Sequence, residues 1–338
     1  MSVAAVILAA GQGTRMRSSQ PKVVHQVAGR PMVQQVVRTV RAAGADPIVV
    51  VVGYGADAVR SALAGEGVHF ALQSEQLGTG HALSCARGSL ANRSGWLLVL
   101  NGDGPLVRAS TLQRLIAVHG QGPPGLEGRG MTLATARVAE PRGLGRIVRN
   151  SAGRFEAIVE DVDADDATRR LHEINPGVYL LDDEVWSRLD QLGNANMSGE
   201  RYITDLPAAY LAGGLPVRTV EMSDPDEALA ANDRVELARL ERIARARIAE
   251  RWMRAGVTLR SPETTWIDDD VVLGRDVVIE PLVILRRGTQ VGEGAHIGAA
   301  AHLTDCRVAA GAVVAPHRVA VGIRVDSEER VDSERGGG

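Results

Sequence analysis

The sequence predicts an α/β domain with a doubly wound, mostly parallel sheet, followed by a short parallel β-helix. Three observations carry this. Over roughly the first 220 residues, short runs rich in Val, Ile and Leu alternate with amphipathic helical patterns. One long helical segment follows. Beyond it, an apolar residue recurs every six positions, at Ile267, Leu273, Ile279, Leu285, Val291, Ile297 and Leu303.

The runs Ala4–Ala10, Ile48–Gly53, His69–Gln73 and Trp96–Leu100 read as buried strands bounded by turn residues. Between the first two, Pro31–Ala43 places Met32, Val33, Val36, Val37 and Val40 on one helical face. Ser110–His119 and Ile203–Ala212 are also expected to be helical. Strands joined through helices favour parallel pairing, and ligands of such sheets sit at the carboxyl ends of the strands. Asn232–Ala255 is expected as a connecting helix, with Leu237, Leu240, Ile243, Ile248 and Trp252 as its stripe.

The six-residue repeat fits neither a helix of period 3.6 nor a flat strand of period 2. A hexapeptide β-helix explains it, with one inward apolar residue per short face. Gly274, Gly292 and Gly298 each follow an inward position. After Leu303 the phase slips by one, to Val308 and Val314. The expected organisation is an α/β domain at 1–225, a connecting helix at 226–258, a β-helix at 259–325 and a frayed, Gly-ended tail at 326–338.

Bulk properties narrow the function. Net charge is −3, which gives no basic surface for nucleic acid. No apolar run is long enough to span a bilayer, and the apolar N-terminus lacks the basic region of a secretory signal. Two cysteines, Cys85 and Cys306, stand far apart in no metal-ligand spacing, so both are expected as reduced thiols and the protein as cytoplasmic. Of 38 basic residues only Lys22 is lysine. A lone lysine in an arginine-writing chain is a candidate for a role that guanidinium cannot fill.

Three motifs carry chemistry. The first is Leu8-Ala9-Ala10-Gly11-Gln12-Gly13-Thr14-Arg15-Met16, with Pro21-Lys22 soon after. A strand runs into a Gly-rich loop whose amides can approach phosphate oxygens, with Arg15 and Lys22 as nearby cations. Met16 stands where a dinucleotide fingerprint needs its third glycine, and the Gly-Lys-Ser/Thr of a P-loop is absent. The second is Gln73-Ser-Glu-Gln-Leu-Gly78-Thr79-Gly-His81-Ala82, where the Gln73 amide can pair with a pyrimidine edge. The third is Trp96-Leu-Leu-Val-Leu-Asn101-Gly-Asp103, a buried strand ending in a carboxylate. A Mg²⁺ bound to a triphosphate takes only one or two such protein oxygens.

Together these motifs resemble bacterial N-acetylglucosamine-1-phosphate uridyltransferases. The resemblance continues through Gly145-Arg146-Ile147, Ile158-Val-Glu160, Glu173-Ile-Asn175, Glu200-x-Tyr202-Ile-Thr204-Asp205, Asn232-x-Arg234 and the hexapeptide segment. It implies a Rossmann-like nucleotidyltransferase domain with a left-handed β-helix, and a reaction of UTP with N-acetylglucosamine 1-phosphate that releases pyrophosphate. Arg15 and Lys22 would be catalytic. Leu8, Ala9, Gly11, Gly13, Thr14, Gln73, Gly78 and Thr79 would bind nucleotide. Asp103 and Asn232 would hold Mg²⁺, and Gly145, Glu160, Asn175, Tyr202 and Thr204 would line the sugar-phosphate pocket. A homotrimer through the coils is expected. Only about three coils follow residue 266 by hexapeptide counting, so acetyl transfer, the family's second activity, is not expected.

Five positions depart from the family's pattern. Leu144 replaces an aromatic, Val162 a basic residue and Pro176 a Thr, all beside the inferred sugar pocket. Gly104 replaces a Val, and Asp233 a second Asn. The nucleotide motifs are intact. Two rivals therefore remain: the same reaction on another sugar 1-phosphate or triphosphate, and an inactive regulatory homologue.

Overall fold

A computed structural model of the chain describes residues 1–91, 93–122, 124–193 and 199–326. Beyond Asp326 the expected tail lies outside the described residues. The chain forms two compact units, one of Met1–His25 with Pro31–Leu237, the other of Gln26–Arg30 with residues from Ala238 onward.

The first unit is built on one sheet. Its order is His69–Leu72, Ile48–Val52, Val3–Ala9, Trp96–Asn101, Val178–Leu181, Met131–Arg137, Glu173–Ile174, Arg146–Arg149 and Phe155–Val159, with Val217–Glu221 also paired to Met131–Arg137. The first four strands are parallel, with Ile7 opposite both Val50 and Leu100. Val3–Ala9, Ile48–Val52 and Trp96–Asn101 read as unbroken apolar runs because helices cover both faces, whereas His69–Leu72, expected as a buried strand, stands at the sheet edge with His69 and Leu72 exposed. Ala5, Ile7, Val50, Leu98 and Leu100 pack towards the helix Met32–Ala42, and Ala4, Val6, Val49, Leu97 and Val99 towards Leu83, Leu206 and Tyr210.

The sheet is mixed, not mostly parallel. Val178–Leu181 enters antiparallel beside Trp96–Asn101, and the strands beyond it on that side are antiparallel too, except that Val217–Glu221 runs parallel to Met131–Arg137. Several of these strands are only two to five residues long, too short to show a clear alternation in the sequence.

Inside this unit His119, at the end of the helix Ala109–Gly120, is wholly buried. Its Nδ1 lies 2.9 Å from Thr132 Oγ1, and its ring meets the Trp96 ring edge-on at 5.0 Å. Burial, reinforced by the charge of Arg218, pulls its pKa down to about 4 from 6.5. The unfolded chain therefore takes up a proton at this site below pH ~6.5 that the folded chain refuses until pH ~4. Stability is full above that window and declines as pH falls through it. Between pH 7 and pH 5 the expected loss is about 2 kcal/mol. Urea midpoints at the two pH values measure it, and His119→Gln should flatten the slope. An equal slope in that variant would refute the assignment.

The second unit is a short parallel β-helix. Leu240, Ala244 and Ile248 form the buried stripe of the helix Arg234–Arg254, at a spacing of four, with Ala249 beside them. Three sheets of four parallel strands follow: Thr258–Leu259 with Val278–Ile279, His296–Ile297 and Val313–Val314; Trp266–Ile267 with its three successors; Val272–Leu273 with its three. Among the described residues there are thus four strands per face, against the expected count of about three coils after residue 266. Three coils end at Val314; buried Ala320 and Val325 extend them, and buried Leu259 stands eight positions before Ile267, outside the six-residue phase.

The inward positions are all buried, from Leu259 to Val325. Ile279 pairs with Ile297, 18 residues on, whereas Val291 pairs with Val308, 17 residues on. The phase slip is therefore one residue removed at the corner between Leu303 and Val308. At Gly274 a Cβ would stand 2.5 Å from the backbone nitrogen of Glu293 in the next coil, which no larger residue can accept.

Candidate active site

The Val3–Ala9 strand delivers the chain into an exposed loop at Gly11 and Gln12. Gly13 is left-handed, φ 62°, and its absent Cβ would lie 2.7 Å from Lys22 Cβ. The glycine thus makes room for the lysine stem. Thr14–Met16 forms one 3₁₀ turn anchored by buried Met16, with Arg15 exposed beside it. The Lys22 ammonium reaches Asp103 Oδ2 at 2.5 Å and Asn232 Oδ1 at 2.9 Å, all within the first unit.

Asp103 follows the tip of Trp96–Asn101. The amide of Gly102 donates to Leu8 O at 2.8 Å, which holds this tip against the loop strand. Asn232 is brought in by the start of the long helix. Asp233 Oδ1 accepts from the amides of Val235 and Glu236 at 2.9 and 2.8 Å, and so caps that helix. Asp233 is thus a cap, and an Asn there would serve the same end. A Cβ on Gly104 would meet nothing within 4 Å, so nothing in the structure requires glycine at that departure.

The Asp103 and Asn232 oxygens converge on one cation, the Lys22 ammonium, and among the described residues the buried Asp103 Oδ1 has no hydrogen-bond partner. Among the described residues no group of three or more His, Cys, Asp or Glu could hold a metal. Two hard oxygens with one lone pair set to spare suit Mg²⁺, which fills the rest of its shell with phosphate and water.

The Gln73–Ala82 loop closes the other wall. Gln73 is 4% exposed. Its Nε2 donates to Gly78 O at 3.1 Å and lies 3.1 Å from His81 Nδ1. The loop is stapled to a later segment: Gly80 N donates to Arg201 O at 2.8 Å, Arg201 N to Leu77 O at 3.0 Å and Ile203 N to Thr79 Oγ1 at 3.0 Å. Leu8, Ala9, Gly11, Lys22, Gln73, Gly78, Thr79 and Asp103 line one cleft of about 420 Å³. Gly13, Thr14 and Arg15 lie in the loop beyond its lining, and Asn232 meets it through Lys22.

The proposed sugar-pocket residues form a second cluster. Asn175 N donates to Gly145 O at 2.9 Å. A Cβ on Gly145 would lie 3.5 Å from Glu160 Oε2, and Thr204 Oγ1 donates to Glu160 Oε1 at 3.0 Å. Burial lifts Glu160 above the usual carboxylate range, against the pull of the Thr204 hydroxyl. Burial also raises Asp205, helped by the charge of Asp163. Tyr202 is half-buried and stands two residues before Thr204. Gly177 N donates to Asn175 Oδ1 at 3.1 Å, so Pro176 sits inside an Asx turn that needs no amide from it. Val162 is 60% exposed, and Leu144 packs on the sheet core.

Some lining residues were not singled out from the sequence. Gln12, Gln76, Asn101 and Glu200 face the cleft, and Tyr179 Oη accepts from Asn175 Nδ2 at 2.7 Å. Gln12, Gln76, Asn101 and Glu200 stood inside the quoted motifs. Tyr179 reads as an ordinary strand residue and carries no signal of its own.

Residues 5–174 match the MobA-like NTP transferase domain. The chain is 45% identical over 289 residues to the bifunctional protein GlmU of Halalkalibacterium halodurans, covering 85% of this chain and 62% of that one. It is 47% identical over 291 residues to the bifunctional protein GlmU of Syntrophotalea carbinolica, covering 86% and 61%. The chain thus spans about three fifths of the length of these relatives. A solved Bacillus anthracis structure, provisionally named a glucose-1-phosphate thymidylyltransferase, shares the fold with a TM-score of 0.58 at 21% identity, over 72% of this chain and 96% of that one. Among the described residues no helix is long and apolar enough to cross a membrane.

Proposed function

The chain belongs to the MobA-like NTP transferase domain family, and on that premise we propose that it is a sugar-1-phosphate nucleotidyltransferase that joins UTP to N-acetylglucosamine 1-phosphate. The observation that carries this reading is the single cleft uniting the glycine loop, Lys22 with Asp103, and the Gln73–Thr79 wall. A phosphate oxygen of the sugar 1-phosphate attacks the α-phosphorus of UTP. The new P–O bond forms as the bond to the bridging oxygen breaks, and pyrophosphate leaves.

Such a displacement needs positioning and charge neutralisation, not a covalent nucleophile. The Gly11 loop offers backbone amides to the triphosphate, Lys22 and Arg15 neutralise it, and Gln73 with Gly78 and Thr79 reads the base. Gly145, Glu160, Asn175, Tyr202 and Thr204 hold the sugar phosphate. Asp103 and Asn232 would hold Mg²⁺, which supplies positive charge to the phosphates. The second reading, the same transfer to a different sugar 1-phosphate, is favoured by Leu144, Val162 and Pro176 beside that second cluster.

Pyrophosphate release across a panel of triphosphates and sugar 1-phosphates tests both. UTP with N-acetylglucosamine 1-phosphate is the expected best pair. A different sugar as best acceptor selects the second reading, and no release with any pair refutes the transferase assignment.

A further inference from the structure

We propose that His81 is a positioning residue that makes Gln73 a fixed hydrogen-bond acceptor towards the cleft and so selects a pyrimidine carrying a proton on N3. This rests on the assignment of that wall to the base. The side-chain amide of Gln73 has one oxygen and one NH₂ group with two protons. Nε2 lies 3.1 Å from the carbonyl oxygen of Gly78, and a carbonyl can only accept, so the nitrogen end is fixed chemically. The same Nε2 lies 3.1 Å from His81 Nδ1. With one proton pointing to Gly78, the second points to Nδ1, which must be the unprotonated ring nitrogen.

The imidazole proton then sits on Nε2, the atom 3.9 Å from Cys85 Sγ, where sulfur serves as a weak acceptor. His81 is held at i+2 of the helix Thr79–Cys85, whose start is stapled through Thr79 and Gly80 to residues 201–203. Both amide protons of Gln73 are therefore occupied within its own loop. What remains for a ligand is the carbonyl Oε1, on a residue that lines the cleft.

An acceptor at that point meets the N3–H of uracil or thymine. It faces the lone pair of cytosine N3, so cytosine binds only if the base shifts or Gln73 turns over. Turning over breaks the bonds to both Gly78 and His81, and brings Oε1 against the Gly78 carbonyl oxygen. Without Nδ1 only the Gly78 bond resists the turn, and discrimination against cytosine should weaken. Uracil and thymine share the N3–H, so they are separated by the ribose 2′-hydroxyl and the 5-methyl group, not by this device.

The test measures kcat/KM with UTP, dTTP and CTP for the parent, His81→Leu and His81→Asn, with folding checked by urea midpoint. His81→Asn keeps an acceptor near the Nδ1 position. The expected result is that His81→Leu lowers the UTP:CTP ratio roughly tenfold, as loss of one buried hydrogen bond would, while His81→Asn holds it within about threefold. An unchanged ratio in folded His81→Leu overturns the proposal. The ¹⁵N spectrum of the His81 ring is a readout that needs no substrate. Protonated Nδ1 in the parent overturns the proposal whatever the kinetics. If His81 shows the Nε2–H tautomer but the parent uses neither pyrimidine better than ATP, the acceptor geometry stands and it is the assignment of the base that fails.

Discussion

Replacing Asp103 with asparagine is expected to lower kcat roughly a thousandfold, about 4 kcal/mol of transition-state stabilisation. The substitution keeps the volume and removes the one carboxylate at the tip of the Trp96–Asn101 strand. Two consequences follow from the geometry. The buried Oδ1, which has no hydrogen-bond partner, loses the charge that would draw Mg²⁺ to it. The Lys22 ammonium also loses its 2.5 Å ion pair and keeps only Asn232 Oδ1 at 2.9 Å. The fold should survive, because Asp103 sits on an already paired strand tip, and the stability cost should stay below about 3 kcal/mol. Turnover in excess chelator, Mn²⁺ binding and a urea midpoint together check this. Full activity in chelator, or turnover of the variant within tenfold of the parent, would remove the metal assignment.

Lys22→Arg should preserve the fold and the net charge and still lose about a hundredfold in kcat, near 3 kcal/mol. Lys22 is the only lysine among 38 basic residues. Its Nζ lies between two oxygens, at 2.5 and 2.9 Å, in a half-buried setting. A guanidinium is a planar fork that prefers fixed bidentate partners, whereas an ammonium is a compact charge that can swing from Asp103 to a phosphate as charge builds on the leaving group. The bare α-carbon of Gly13 makes room for the stem, 2.7 Å from where a Cβ would stand, but gives no space to a wider head. Steady-state kinetics decide the matter: a variant within about twofold of the parent would show that the position requires only positive charge.

Much of this site is legible in the sequence because its residues lie at strand ends, where apolar runs stop abruptly. Gly11 and Asp103 follow continuous buried strands and Gln73 follows the edge strand His69–Leu72, and the parallel half of the sheet brings their tips together in one cleft. The six-residue repeat is equally plain, since every inward position must be apolar. The antiparallel half is not legible, because a strand such as Glu173–Ile174 is too short to display a period. The fourth rung of the β-helix was hidden because Leu259 stands eight positions before Ile267, Ala320 is small, and the step from Ala320 to Val325 is again five residues. Contacts such as Thr204 to Glu160, or Asn175 to Tyr179, depend on segments meeting in space, and no local pattern announces them.

The corner between Leu303 and Val308 bears on how such a chain tolerates deletion and insertion. One residue fewer there leaves Val291 opposite Val308, Ile297 opposite Val314 and Leu303 opposite Ala320, so the ladders on all three faces continue undisturbed. A residue lost within a face would instead turn every following inward side chain outward. Length is therefore editable at the corners and fixed along the flats. A mutational scan of this segment by single-codon deletion should accordingly show tolerance in clusters recurring about every six codons, each falling where the chain bends and not where it stacks.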